Sequence, residues 1–319
     1  MLHNLPPNPT FLDASIRDSI QEIALRVVVE LPGWNFHVLG TATLIAGHLA
    51  LTAKHVLDAA LSYDVKQTPS GGESDAFALK LYQVLPDKSG PIYRIWNVLE
   101  AWACESDIAL LHLSLDQASE SEAEILWRVP RLRVVPPRSG QKVIAFGYRE
   151  SKIAVVEGDD GTHHIQLNDV GTISIGEVGL IFAERRDSSF LKFPCFEVHA
   201  RFAHGMSGGL IIDEAGSVCG LVCAGVNFPD PNTPPLSYAV TLWPMLRTVI
   251  SVNRGDAYPR GVEYPVIELA LNKLIDVVDL EELDPNLFPG YLSRLVSCRT
   301  YLNNKFLTER IAEGSYRLP

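Results

Sequence analysis

Short runs of β-branched and aliphatic residues recur along most of this 319-residue chain, and turn residues end them. One run, Ala24–Leu31, ends at Pro32-Gly33, and two later runs meet at Gly47-His48. Strands of this length at this spacing are typical of all-β sandwiches and barrels. The sequence therefore predicts an all-β fold, whose first strands lie at about 24–31, 40–47, 48–53, 76–85, 92–103 and 107–113.

A second set of strands follows the acidic stretch 116–124, which we interpret as a linker between two domains. Its strands are predicted at 131–136, 141–147, 152–156, within 163–184 and 193–202, and at 208–213, 217–226 and 237–241. Helices are predicted over 13–22, from Trp243 to about Ser251, and over 262–283 and 285–313. The predicted units are a lead-in (1–23), a β-domain (24–120), a second β-domain (121–254) and a C-terminal helical extension (255–319).

Charge and hydropathy argue against several classes of protein: nucleic-acid binding, membrane-bound and secreted. The net charge of −11 disfavours non-specific binding to nucleic acid or to anionic membranes, because both reward basic patches. Apolar runs stay shorter than the 18 residues that a membrane span needs. Residues 1–30 have neither the basic start nor the uninterrupted apolar stretch of a secretory signal.

The five cysteines indicate a reducing compartment. Their number is odd, and Cys219 and Cys223 are too far apart in an extended strand to bridge. We therefore expect a cytoplasmic protein with reduced, buried thiols. The sequence contains no C-x-x-C pair and its histidines are scattered, so we expect no zinc, and no cofactor is predicted.

Ser207 lies in the glycine-rich stretch 203–209, just before a strand-like run. A serine nucleophile needs a base to take its proton and backbone N–H groups to meet the developing negative charge. Small glycines let the backbone fold tightly and let a substrate approach closely. The same residues also fit an ordinary glycine-rich turn between two strands, so the stretch alone leaves both interpretations open.

A histidine and an aspartate occupy comparable positions upstream. His55 directly follows the apolar strand that ends in Thr52-Ala53, and Asp107 precedes the run 108–111. Taken singly, His55 also fits a loop histidine and Asp107 a cap at the start of a strand. The order His, Asp, Ser, with spacings of 52 and 100 residues, favours a catalytic set. Gly205–Gly209 also fits the nucleophile elbow of α/β-hydrolases, but all nine histidines lie at or before residue 204, and that fold needs one after the serine.

Thr-Ala-Lys-His at 52–55, Asp-Ile-Ala-Leu-Leu at 107–111 and Gly-Met-Ser-Gly-Gly at 205–209 resemble the three signature segments of trypsin-like (chymotrypsin-fold) serine peptidases. The likeness covers roughly residues 24–251 and is greatest to intracellular or bacterial members without disulfides. It implies two antiparallel six-stranded β-barrels with the site in the cleft between them. It also implies that Ser207 is the nucleophile, His55 the base, and Asp107 the group that orients His55. The oxyanion hole would be formed by the N–H groups of Gly205 and Ser207.

The substrate-binding strand implied by the resemblance contains Val222, Cys223, Ala224 and Gly225. Two alternatives remain open for its primary pocket: Leu236 would shorten it and favour a small or apolar residue, or Arg201 at its base would attract an acidic one. Cys223 stands where many members have a serine that hydrogen-bonds the aspartate, and a thiol is a weaker donor. Met206 stands where secreted members have an aspartate that pairs with a newly cut N-terminus, so we do not expect activation by such cleavage.

Three functional hypotheses follow. The first is an endopeptidase that cleaves a specific protein, with the C-terminal helices as the dock for a regulatory protein. The second is an inactive or weakly active relative that keeps the fold as a binding module. The third makes the C-terminal helices the main interaction module and the β-domains a regulated effector.

Overall fold

The computed structural model describes residues 11–14, 19–66, 78–85, 92–116, 129–157, 163–226, 233–251, 263–283 and 287–288. Its strands are β1 (Leu12–Asp13), β2 (Ala24–Leu31), β3 (Asn35–Ala46), β4 (Leu49–Thr52), β5 (Ala78–Leu85), β6 (Ile92–Ala103), β7 (Ala109–Leu115), β8 (Lys142–Glu157), β9 (His163–Phe182), β10 (Cys195–Val198), β11 (Leu210–Asp213), β12 (Val218–Val226), β13 (Leu236–Val240), β14 (Val249–Ser251) and β15 (Glu263–Pro265). The helices are α1 (Lys54–Lys66) and α2 (Val266–Leu271), with 3₁₀ turns at Ser19–Glu22, Trp243–Arg247 and Leu280–Glu282. The mostly β fold predicted from the sequence is confirmed.

Six strands of the first half close into a barrel in the order β2-β3-β4-β7-β6-β5. All its neighbouring strands are antiparallel. The barrel is filled by side chains that are essentially inaccessible to water, including Leu25, Leu44, Leu51, Leu81 and Trp96. Burying an aliphatic side chain of this size contributes roughly 1.5–3 kcal/mol to stability. The packed interior therefore holds the strands of the barrel in fixed positions.

The second half forms a sheet in the order β1-β9-β10-β13-β12-β11-β8, and β8 also pairs with β9. The strands β8 to β13 are therefore paired in a ring, and β1 adds to β9 from outside it. Val143, Phe196, Val198, Met206 and Val222 belong to one buried cluster within this sheet. Of the two barrels implied by the resemblance, the first is a closed barrel in the structure and the second is this ring of strands.

Helix α1 was not predicted from the sequence. It begins two residues after β4 ends, and its buried residues Val56, Leu57 and Ala60 recur at helical spacing. Because this short helical pattern directly follows an apolar strand, the sequence did not separate the two. The run predicted as a strand at 131–136 has only isolated bridges, from Leu132 to Val218 and to Val277.

The helical extension is not confirmed. Within 263–283, where a long helix was predicted, the chain forms β15, the six-residue α2 and a 3₁₀ turn. Lys273 with φ 60° ends the helical path, and Asp279 accepts hydrogen bonds from Val134 N and Val135 N, both at 2.9 Å. These contacts tie the segment to the second half of the chain instead of extending it. The predicted helix at 285–313 and the linker at 116–124 lie almost wholly outside the described residues.

Two shorter helix predictions also need correction. The stretch 13–22 contributes to β1 and to a 3₁₀ turn, and 243–251 forms a 3₁₀ turn followed by β14. In each case the apolar residues pack against a sheet over too short a length for an α-helix. None of the helices within the described ranges has both the length and the apolar character needed to cross a bilayer.

Candidate active site

His55 and Asp107 meet because the strands that carry them are neighbours. Strand β4 ends at Thr52, which pairs with Ala109 at the start of β7. The chain leaves β4 into α1, with His55 as the second residue of the helix, while Asp107 lies in the turn just before β7. His55 Nδ1 lies 2.8 Å from Asp107 Oδ2 and 3.1 Å from Oδ1, and the backbone N–H of His55 donates to Oδ1 at 3.0 Å.

This arrangement selects one tautomer of the His55 ring. A carboxylate accepts hydrogen bonds, so Nδ1 must carry the proton that it donates to Asp107. Nε2 is then left with a lone pair that can accept a proton. The Asp107 side chain is only 8% exposed whereas that of His55 is 48% exposed, so the buried carboxylate orients a ring that substrate can reach.

Cys223, on strand β12 of the second sheet, provides a further donor to the same carboxylate. Its Sγ donates to Asp107 Oδ2 at 3.0 Å. Burial, and secondly the negative charge of Asp107, raise the pKa of the Cys223 thiol well above its ordinary value. The thiol therefore stays protonated at neutral pH and remains a donor, so Asp107 is held from both halves of the molecule.

We expect Cys223→Ala to lower kcat/KM about tenfold, because hydrogen bonds to charged groups contribute roughly 1.5–3 kcal/mol and Asp107 would lose one donor. Cys223→Ser keeps a donor of similar size and should stay within about threefold of wild type. Steady-state kinetics on both variants tests this. Equal losses in the alanine and serine variants would mean that the bond to Asp107 does not matter.

The loop around Ser207 is fixed by threonines of the first barrel. Thr41 N donates to Ser207 O at 2.8 Å, and Thr41 Oγ1 donates to Gly205 O at 3.0 Å. Thr43 Oγ1 reaches Gly208 O at 3.3 Å, and both threonines are fully buried. The carbonyls of Gly205, Ser207 and Gly208 therefore face the barrel.

The directions of the carbonyl groups determine where the N–H groups of the loop point. Met206 O accepts from Gly209 N at 2.8 Å, and in a planar trans peptide the Ser207 N–H must point the opposite way. Among the hydrogen bonds of the described residues, neither Gly205 N–H nor Ser207 N–H has an acceptor. Gly205 has φ 90°, in the region that favours glycine. The loop thus leaves two N–H groups without partners beside the half-buried Ser207.

Gly208 holds this loop against the strand that leads to His55. A β-carbon on Gly208 would overlap Thr41 O and Thr52 Oγ1, and its φ is 80°. No hydrogen bond joins the Ser207 hydroxyl to the His55 ring among the described residues. Such bonds often tighten only in the complex with substrate.

We expect Gly208→Ala to destabilise the protein by about 3 kcal/mol or more, because the left-handed backbone costs roughly 1–2 kcal/mol and the overlap adds to it. Gly33→Ala is the matched control: its φ is 78° but nothing lies within 4 Å of the added carbon. Urea unfolding should show a loss of only about 1 kcal/mol there. Similar losses at both positions would contradict the close packing at Gly208.

The residues predicted to bind substrate lie on β12, on β13 and on the segment that precedes this loop. Val222 pairs through its backbone with Gly208 and Gly209, and Cys223, Ala224 and Gly225 continue along β12. Leu236, half-buried on β13, pairs with Val226 beyond them. Arg201 is exposed on the segment that precedes the loop.

That segment is pressed against β12 and β13. Ser237 Oγ donates to Ala200 O at 2.8 Å and accepts from Phe202 N at 3.1 Å. A β-carbon on Gly225 would lie 2.6 Å from Phe202 O. The backbone around Phe202 therefore occupies the space beside Gly225.

Sequence reasoning missed the buried threonines Thr41, Thr43 and Thr52, which link the barrel to the Ser207 loop. Polar side chains at alternating positions of an apolar strand were the available signal. Within the described residues, no group of three or more His, Cys, Asp or Glu side chains is arranged to hold a metal ion.

A closed barrel, an oriented histidine and a serine in a tight glycine loop together define a peptidase of the trypsin class, and comparison with known proteins agrees. The family model of the trypsin-like peptidase domain matches residues 40–221, more than half of the chain, and the chain belongs to that family. No curated protein matches it in sequence.

Several solved structures are similar to this chain at low sequence identity. The active form of the Rv3671c protease from M. tuberculosis is 13% identical over 77% of this chain and 91% of its own, with a TM-score of 0.41. Deg5 is 17% identical over 69% and 84%, with a TM-score of 0.41. An HtrA-type protease, AlgW with a decapeptide, is 14% identical over 72% and 63%, also at 0.41.

Proposed function

We propose that this chain is a serine endopeptidase that cleaves a protein substrate through an acyl-enzyme. Ser207 Oγ attacks the scissile carbonyl carbon while His55 Nε2 takes the hydroxyl proton. The C–N bond then breaks and His55 returns that proton to the leaving amine. Water, deprotonated by His55, cleaves the ester and restores Ser207.

The observation that carries this proposal is the pairing of His55 with a buried carboxylate next to a loop with two unpartnered N–H groups. The Asp107 carboxylate stabilises the imidazolium that forms when His55 accepts a proton. The N–H groups of Gly205 and Ser207 would bind the oxyanion, and losing one such donor typically costs about 10²–10³ in rate.

A fluorophosphonate probe tests the proposal, because it reacts with a serine only when that serine is activated by a base. We expect the wild type to be labelled and Ser207→Ala to remain unlabelled, as measured by intact mass. An unlabelled wild type would favour the second candidate instead.

The second candidate is a binding module with little or no catalysis, and one observation favours it. The Phe202 carbonyl lies against Gly225, where family members accommodate the residue before the scissile bond. A peptide library separates the candidates: cleavage at defined positions supports the peptidase, whereas peptide binding without cleavage supports the module. The same library tests the pocket, since a requirement for an acidic residue would favour Arg201 over Leu236.

We further propose that the chain consists of a lead-in (1–23), two β-barrels (24–120 and 121–254) and a C-terminal extension (255–319). The first boundary is supported by β2, which begins at Ala24. A cytoplasmic location is supported by Cys104, Cys195, Cys219 and Cys223, which are buried and free of disulfides. A regulatory protein would bind at the C-terminal residues, beyond the segment that Asp279 anchors.

A further inference from the structure

The segment just before Ala14 is fastened to the second sheet. Leu12 and Asp13 pair with Ile173 and Thr172 of β9, and Ala14 N donates to Gly171 O at 2.6 Å. We call Phe11, Leu12 and Asp13 the N-terminal clamp. The side chains of Phe11 and Asp13 both lie beside a single residue, Arg149 of β8.

Arg149 joins several groups through its guanidinium. Nη2 lies 2.8 Å from Asp13 Oδ1, Nη1 lies 2.7 Å from Glu150 Oε1, and Nε donates to Thr172 Oγ1 at 2.9 Å. The Phe11 ring lies 5.5 Å from the guanidinium carbon, within reach of a cation–π contact. The clamp thus supplies both a charge and an aromatic face to Arg149.

Arg149 and Glu150 lie at an irregularity in β8. The register of β8 against β9 shifts between Arg149 and Lys152, and Glu150 has φ 57°. This left-handed conformation is unfavourable for a residue with a β-carbon, so neighbouring contacts must hold it. The Arg149 network spans this strained position.

The part of β8 that precedes this irregularity lies directly under the Ser207 loop. A β-carbon on Gly205 would be 2.6 Å from Tyr148 O and 3.7 Å from the Arg149 Cα. A β-carbon on Gly147 would be 2.7 Å from the Met206 Cα. A shift in this strand would therefore move the backbone of Gly205 and Met206.

Phe11 also belongs to the packing around the residue before Ser207. It lies against the buried cluster that contains Met206, together with Phe202 and Ala203 of the segment that leads into the loop. Met206 is fully buried and apolar, so no ion pair can order the loop at this position. Its position depends on packing and on the strand beneath it.

We propose that Phe11 and Asp13 are positioning residues that keep the Gly205 and Ser207 N–H groups aimed at the reacting carbonyl. Loss or displacement of this segment would loosen the loop and lower turnover without removing any group that touches substrate. The inference rests on the proposed function for its effect on rate, but its effect on loop order does not.

The test uses the full chain with Phe11→Ala combined with Asp13→Asn. We expect exchange of the hydrogen-bonded amides of Met206, Gly208 and Gly209 to become at least about fivefold faster. The rate of fluorophosphonate labelling and kcat should fall about tenfold, and KM should stay within twofold. Phe11→Leu combined with Asp13→Glu should restore both exchange and rate to within threefold. Glu30→Gln, which removes a carboxylate paired with Lys80 on the first barrel, is the control and should change neither.

Exchange of the Met206, Gly208 and Gly209 amides that stays within twofold of wild type would overturn the clamp, whether or not the protein is active. So would an equal loss in the conservative variant, because that would indicate damage to the fold. Failure of the wild type to react with the probe would overturn the proposed function instead, so the two failures are distinguishable.

Discussion

Replacing Ser207 by alanine is expected to lower kcat for a cleavable peptide by about 10⁶-fold, the scale found when the nucleophile of a serine peptidase is removed. In the proposed mechanism, the acyl-enzyme is an ester of Ser207 Oγ, which alanine lacks. KM should change little, because the loop backbone that contacts substrate stays in place.

The fold should survive this substitution. The Ser207 backbone is held through its carbonyl by Thr41 N, and that contact does not involve the hydroxyl. Ser62→Ala is a suitable control, since it removes a hydroxyl that donates to the Ala59 carbonyl within α1. If Ser207→Ala kept more than about one hundredth of the wild-type kcat, another residue would have to be the nucleophile.

Replacing Asp107 by asparagine is expected to lower kcat by about 10⁴-fold near neutral pH, as it does for the equivalent change in other members of this class. Asparagine has only one acceptor oxygen, and the backbone N–H of His55, which can only donate, requires that oxygen at the position of Asp107 Oδ1. Its amide N–H₂ group then turns towards His55 Nδ1. The ring must accept there and carry its proton on Nε2, where it cannot take one from Ser207.

Kinetics above and below neutral pH, together with thermal unfolding, measure this effect. Asp58→Asn is the matched control, because Asp58 pairs with Lys54 on the exposed side of α1 and is 53% exposed. A surface ion pair of this kind contributes about 0–1 kcal/mol, so the control should keep wild-type activity. Less than a tenfold loss in Asp107→Asn would mean that the tautomer of His55 does not limit the reaction.

The strands could be predicted from the sequence because they depend on local patterns. The β-branched run and the Pro-Gly turn after it predicted β2 with its observed bounds, and the run at 92–103 coincides with β6. His55, Asp107 and Ser207 stood out for a similar reason, as each sits in a short, recognisable segment beside a strand.

The parts that could not be predicted depend on partners far along the chain. Thr41 bonds to Gly205 across 164 residues, and Asp13 pairs with Arg149 across 136. Neither residue differs locally from an ordinary strand threonine or surface aspartate. The helix predicted over 262–283 failed for the same reason, because its apolar residues pack against the second sheet and Asp279 is fixed by residues 134 and 135.

The most direct test of the account is the distance between His55 Nε2 and Ser207 Oγ in a crystal structure of the fluorophosphonate adduct. The account predicts about 2.6–3.2 Å, with the phosphoryl oxygen accepting hydrogen bonds from Gly205 N and Ser207 N. An adduct on another residue, or a separation of more than about 6 Å between these two atoms, would contradict it.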